Sequence, residues 1–230
     1  MELEFLGGAR EVGRSALLVD DALLLDYGLM TADPPRYPVR DPEPEAVVVS
    51  HGHLDHVGAV PALLKGDRRP PVHWTPPTGE LARTLAEDTL KLHGNSPLCP
   101  FGAEHVARLG EVERRHGYGE PFPVAGGVDD GGYEVTLFNA GHIPGSAHVL
   151  VDDGDTRLLY TGDFHTDDQR LVAGTTARPD ADVVVCEATY ADVTHEERAA
   201  VESAWAERVE RTLWEGGTVV APAFAIGRTQ

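Results

Sequence analysis

Positive charge is scarce in this 230-residue chain: 38 acidic residues face 19 basic ones, for a net charge of −19, and the only lysines are Lys65 and Lys91. Such a balance argues against capture of a polyanion by charge alone. Cysteine is almost as rare. Cys99 and Cys186 lie far apart and form neither a disulfide framework nor a CxxC metal motif, so both are expected to be free and reduced. No apolar run approaches the ~20 residues of a membrane helix. The opening "MELEFLGGAREVG" also lacks the basic-then-apolar layout of a signal peptide. These absences exclude a membrane partner and predict a cytoplasmic protein. There is no internal repeat.

The acidic excess is dispersed. "DD" at 129–130, "VDDGD" at 151–155 and "HTDDQR" at 165–170 fall between apolar segments, as a solvated acidic surface would, and they read as a halophile's surface. At ~1 M salt the Debye length is ~3 Å, so repulsion from distant surface is screened. The same salt weakens attraction by counterion release. A polyanion would then be held by metals, local arginines and shape.

With 41% apolar residues, the chain can bury one sizeable core, or one domain and part of another. Short apolar segments at 3–6, 16–19 and 23–26, separated by Gly- and Asp-rich turns, predict a β-meander. "GGAREVG" at 7–13 lacks a Walker lysine and reads as a plain turn. A Pro-rich loop at 31–45 leads to a strand at 46–49, and a helix is expected to start near Pro61. Leu81, Leu85 and Leu92 set helical spacing over 78–93, and 102–116 is a weaker helix. Strands are expected at 133–138, 148–151, 157–161 and 183–186, in sheets packed on each other and covered by helices. Thr194 and Glu197 form a candidate capping box for a helix carrying Val201, Trp205, Val209 and Leu213, which Gly216 and Gly217 stop. A strand at 218–221 follows, and the sequence ends at "PAFAIGRTQ" with no closing element, as if partway into a second domain.

The chemistry concentrates in "VVVSHGHLDHVGAV", where three histidines and an aspartate occupy six positions after an apolar run. In an extended segment His51 and His53 point the same way and can offer two imidazoles to one ion. A turn after Leu54 would bring Asp55 and His56 to a different side, for a second ion. "FNAGHIPGSAH" adds His142 and "LLYTGDFH" adds Asp163, each beside a glycine, Gly141 or Gly162, that permits a tight turn. Asp163 could bridge both ions with its two oxygens. Imidazole and carboxylate donors suit zinc first, with iron and manganese as alternatives.

The order LLLDYG, SHGHLDH, AGHIPGSAH, YTGDF resembles the metallo-β-lactamase superfamily. "VVCEATYADVTHEER" followed by "GGTVVAPAFAIGRTQ" resembles its β-CASP branch, nucleases that include the endonuclease subunit of the cleavage and polyadenylation factor and ribonuclease J. The resemblance covers nearly the whole chain. It implies an α/β fold: the N-terminal part of an αββα sandwich over residues 1–191, then the beginning of a β-CASP domain over 192–230. His51, His53 and His142 would hold one Zn2+, Asp55 and His56 the other, with Asp163 shared. Asp26 would orient the ligand loop, and Glu187 would orient a catalytic histidine contributed later in the chain. That histidine and a further metal-ligand histidine belong to a region beyond Gln230. His195 matches another family position, and His165 matches none. Both are expected to be surface or loop residues, as are His73, His93, His105, His116 and His148.

The resemblance implies RNA hydrolysis in processing, maturation or decay, by an endonuclease or 5′ exonuclease acting through a two-zinc-activated water. RNA would lie in the cleft between the two domains, with Arg228 as a candidate phosphate contact. A related nuclease subunit, identical or different, is a further expected partner. Two rivals are a self-contained hydrolase of a small substrate, such as a thioesterase, and a catalytically incomplete metal- or partner-binding fragment.

Overall fold

The computed structural model describes residues 1–223 and Ile226. It opens with the meander: β1 (Leu3–Gly7), β2 (Ala16–Val19) and β3 (Leu23–Leu25) pair antiparallel. The chain then crosses to β4 (Ala46–Val48), which lies parallel to β3. Next come a short helix α1 (Leu54–Val57) and a 3₁₀ turn (Val60–Leu64), so the helix expected near Pro61 is a 3₁₀ turn with Pro61 in its first positions. Strand β5 (Val72–Trp74), helices α2 (Pro76–His93) and α3 (Ala103–Val112), and strand β6 (Glu113–Arg115) complete a sheet ordered β1-β2-β3-β4-β5-β6.

A second sheet is ordered β11-β10-β9-β8-β7. It holds β7 (Phe122–Val124), β8 (Tyr133–Asn139), β9 (Ala147–Asp152), β10 (Arg157–Tyr160) and β11 (Val183–Val185). Alternation along the strands sorts the core. Leu17, Val19, Leu23, Leu25 and Val48 face Val135, Leu137, Val149, Val151 and Leu158 between the sheets. On the other side of the first sheet, Leu18, Leu24, Val47 and Trp74 pack under Ala82, Ala86, Val106 and Leu109 of α2 and α3.

Trp74 is fully buried, and a Cβ on Gly79 of α2 would stand 2.6 Å from its Nε1. A glycine there lets the helix descend onto the indole. Trp74→Ala would cost about 3–5 kcal/mol.

Several expectations differ from the structure. Helix α3 ends at Val112, and residues 113–115 form β6, because pairing with β5 captures a segment of helical spacing. Strands β5 and β7 were not expected. Leu92 is exposed; α2 instead buries the small face of Thr78, Gly79, Ala82 and Ala86. Residues 218–221 form no strand.

The chain divides into two compact units, Met1–Glu187 and Ala188–Gln230. The second contains α4 (Arg198–Trp214). Its N-cap is Glu197 with no side-chain cap, so the Thr194/Glu197 capping box does not form; Gly216, at φ +76°, follows its end. Arg228 lies outside the described residues.

The topology collects one set of loops. Strands β3, β4, β5 and β6 are parallel, and the backbone N–H of Ala147 donates to the Ser50 carbonyl at 2.8 Å, joining the ends of the two sheets. The turns after β3, β4, β8 and β10 therefore meet at one edge.

Candidate metal centre

Strand β3 ends in Asp26, which is fully buried at φ +59°. Its Oδ1 accepts from the Ser50 N–H at 2.7 Å. Its Oδ2 lies 2.7 Å from the Ser50 hydroxyl, 2.8 Å from the Tyr160 hydroxyl and 2.7 Å from His56 Nδ1. One carboxylate thus ties the ends of β3, β4 and β10 together. The next residues grip the histidine segment by its backbone. Tyr27 N–H donates to the His56 carbonyl and Leu29 N–H to the Leu54 carbonyl, while Ser15 N–H donates to Asp55 O. A Cβ on Gly28 would lie 1.7 Å from that Asp55 oxygen, so only glycine permits this approach.

The histidine rings converge. His51 stands 5.0 Å, centroid to centroid, from both His53 and His142, and 4.0 Å from His56. Donor atoms of His51, His53 and His142 lie within 4.8 Å of one another, and so do those of His51, His56 and Asp163. Asp163 faces both sets: Oδ1 is 3.3 Å from His56 Nε2, whereas Oδ2 is 3.6 Å from His142 Nε2 and 4.0 Å from His51 Nε2. Asp55 belongs to neither group among the described residues. Its Oδ2 is 4.0 Å from His56 Nε2.

The surroundings leave the right atoms for an ion. His51 Nδ1 is 3.1 Å from Ser50 Oγ, and its buried Nε2 has no hydrogen-bond partner among the described residues. Such an orphan in a nest of imidazole and carboxylate is a site that a divalent cation satisfies. Burial holds the His51 pKa well below the usual imidazole value, and neighbouring His56, His53 and His142 push it the same way, so its lone pair is available. At His56 burial opposes protonation, but Asp26 and Asp163 outweigh it and raise the pKa. Asp163 is lowered, since His56 and the other histidines overcome its burial.

The His142 loop is clamped from both sides. Ser146 Oγ accepts from the N–H groups of His142 and Ile143 at 3.0 and 3.2 Å. Gln169 Nε2 donates to the carbonyls of Gly141 at 2.7 Å and His142 at 3.0 Å. A Cβ on Gly141, at φ +71°, would meet the His165 carbonyl at 2.4 Å. Ser50, Ser146 and Tyr160 stand inside the motifs SHGHLDH, AGHIPGSAH and YTGDF without a role assigned to them, and Gln169 carries no motif signal. Ser50 and Ser146 could have been noticed only as neighbours of ligand histidines.

Glu187 follows β11, and its N–H donates to Thr161 Oγ1 at 3.2 Å. His165 is half-buried and His195 exposed. The surface reading fails for two histidines. His148 is buried with Nδ1 2.9 Å from the Thr161 carbonyl, and His73 is buried with Nδ1 2.9 Å from His116 Nε2, because each finds a polar partner inside.

A two-sheet fold with a His/Asp cluster at the strand ends defines a metallo-hydrolase scaffold. The family model described as the metallo-beta-lactamase superfamily matches residues 10–197. The chain belongs to this superfamily, within its β-CASP branch. It is 35% identical over 237 residues to "RNase aCSPSF2" of Saccharolobus solfataricus, covering 99% of this chain and 46% of that protein. It is 35% identical over 248 residues to "Transcription termination factor FttA" of Methanothermobacter thermautotrophicus, covering 99% and 38%. It is 32% identical over 238 residues to "Ribonuclease TTHA0252" of Thermus thermophilus, covering 100% and 53%. The chain thus spans about half or less of these relatives' lengths.

Proposed function

We propose that this chain carries the metal centre of a metal-dependent RNA nuclease that hydrolyses phosphodiesters. The observation that carries the reading is Asp163, whose two oxygens face two different donor sets. Ribonuclease names among its relatives support RNA as the substrate. On this reading residues 1–191 are the N-terminal part of the metallo-β-lactamase domain and 192–230 begin the β-CASP domain.

His51, His53 and His142 would hold one ion and Asp55 and His56 the other, with Asp163 between them; zinc suits these donors best. Two such ions, when bound, supply Lewis-acid charge and an activated water at the scissile phosphate. The protein's own contribution is orientation. Asp26, with Ser50 and Tyr160, would fix the imidazoles so that each Nε2 faces the site. Gln169 and Ser146 would fix His142. Glu187 would orient the proton donor to the leaving oxygen. The acidic surface fits work at high salt in the cytoplasm, and a related nuclease subunit is a candidate partner.

The test is cleavage of an end-labelled single-stranded RNA at high salt, with His53→Ala as control. Chelator-sensitive cleavage that the control abolishes is the expected result; hydrolysis of thioesters with no action on RNA would overturn the reading.

A further inference from the structure

Tyr118 lies in the loop between β6 and β7, at the edge that gathers the metal-site turns. Strand β6 runs parallel to β5 and β4, so the residues after Arg115 emerge at the same end as His51. The loop is tied there: His116 N–H donates to the Trp74 carbonyl at 3.0 Å, and Gly119 N–H donates to the Leu137 carbonyl at 2.8 Å, two residues before β8 ends. The Tyr118 hydroxyl donates to the Ser146 carbonyl at 2.9 Å. Ser146 is the residue whose Oγ accepts from the His142 N–H. One serine therefore caps the His142 turn and anchors the tyrosine.

The hydroxyl is satisfied inside, yet the residue is 43% exposed. Among the tyrosines of Met1–Glu187, Tyr27, Tyr133 and Tyr160 are buried and Tyr37 is half-buried, so Tyr118 is the one presented to solvent. Its tip is pinned, which removes much of the ordering cost of contact, while much of the residue stays open to solvent. The net charge of −19 weakens attraction for a phosphate backbone, whereas stacking on a π-face uses no net charge.

We propose that Tyr118 is a stacking platform for an unpaired nucleobase of the strand entering the metal centre, an inference that rests on the nuclease reading. The ligand class is single-stranded nucleic acid recognised through its bases.

The experiment measures binding of a nuclease-resistant adenosine ribo-oligomer and of its abasic counterpart to the 230-residue chain and to Tyr118→Phe, Tyr118→Leu and Tyr118→Trp. All three variants lose the bond to Ser146, so differences among them read the ring and not the strut. The ratio of the two affinities normalises for any loosening of the loop. The wild type and the Phe and Trp variants are expected to prefer the base-bearing strand, and the Leu variant to lose that preference by about 5- to 150-fold. Equal ratios in the Phe, Trp and Leu variants would overturn the inference while leaving the nuclease reading intact. Failure of the wild type to bind either strand would overturn both.

Discussion

Asp26 and His56 form a buried pair, with Oδ2 2.7 Å from Nδ1 and almost no solvent access to either residue. This contact leaves His56 Nε2 aimed at Asp163, 3.3 Å away. A carboxylate behind a ligand histidine fixes the ring and its tautomer. Asp26→Asn should therefore weaken divalent-metal binding by about 10- to 100-fold, read by competition with a chromophoric chelator. Unchanged affinity would show that Asp26 only holds the strands together.

Two glycine substitutions should act in opposite directions. Gly28→Ala drives a Cβ to 1.7 Å from the Asp55 carbonyl oxygen and should destabilise the chain by about 1–3 kcal/mol, with reduced metal content. Gly110→Ala, in α3, meets nothing closer than the Arg83 guanidinium at 3.5 Å and should stabilise by about 0.5–1 kcal/mol. Urea midpoints of the two variants decide the matter.

Gln169 grips two consecutive carbonyls through one amide nitrogen. Gln169→Glu keeps the shape but sets a carboxylate against them, so it should disturb the His142 turn more than Gln169→Ala. A loss of about tenfold in metal affinity is expected, with a changed visible spectrum of the cobalt-loaded protein. Equal behaviour of the two variants would mean that the donor does not matter.

Burial lowers the pKa of His73 from 6.5 to about 4, and His116 and Arg114 act in the same direction. The unfolded chain takes up this proton as pH falls through 6.5, whereas the folded chain does not. Stability of the metal-free chain is therefore full above that pH and declines toward about 4. His56, raised by Asp26 and Asp163 against its burial, has the opposite sign: its contribution is full below 6.5 and is lost as pH rises through its folded value. His73→Leu should flatten the acid-side decline in urea midpoints; an unaltered slope would remove His73 as its source.

The convergence of His51, His53, His56, His142 and Asp163 was legible because HxHxDH, GH and TGD place chemistry-bearing residues after apolar strands. Its support was not. Ser50 and Tyr160 stand inside SHGHLDH and YTGDF, but strand pairing alone brings them to Asp26, 134 residues before the tyrosine, and Gln169 arrives through loop packing. The long strands β8 and β9 were visible from their apolar runs. The three-residue strands β5, β6 and β7 carry too little periodicity; "ERR" is extended because β5 offers its edge. His73 and His148 read as surface residues because their partners, His116 and the Thr161 carbonyl, lie 43 and 13 residues further along the chain and meet them only through the sheets.

A two-ion centre shared through Asp163 fixes the metal stoichiometry of the chain and of its variants. The purified 230-residue chain, dialysed against zinc at high salt, should retain about two ions per molecule, with His53→Ala losing one and Asp163→Ala losing both. A wild-type chain that retains one ion or none, or an Asp163→Ala chain that retains both, would contradict a shared two-ion centre.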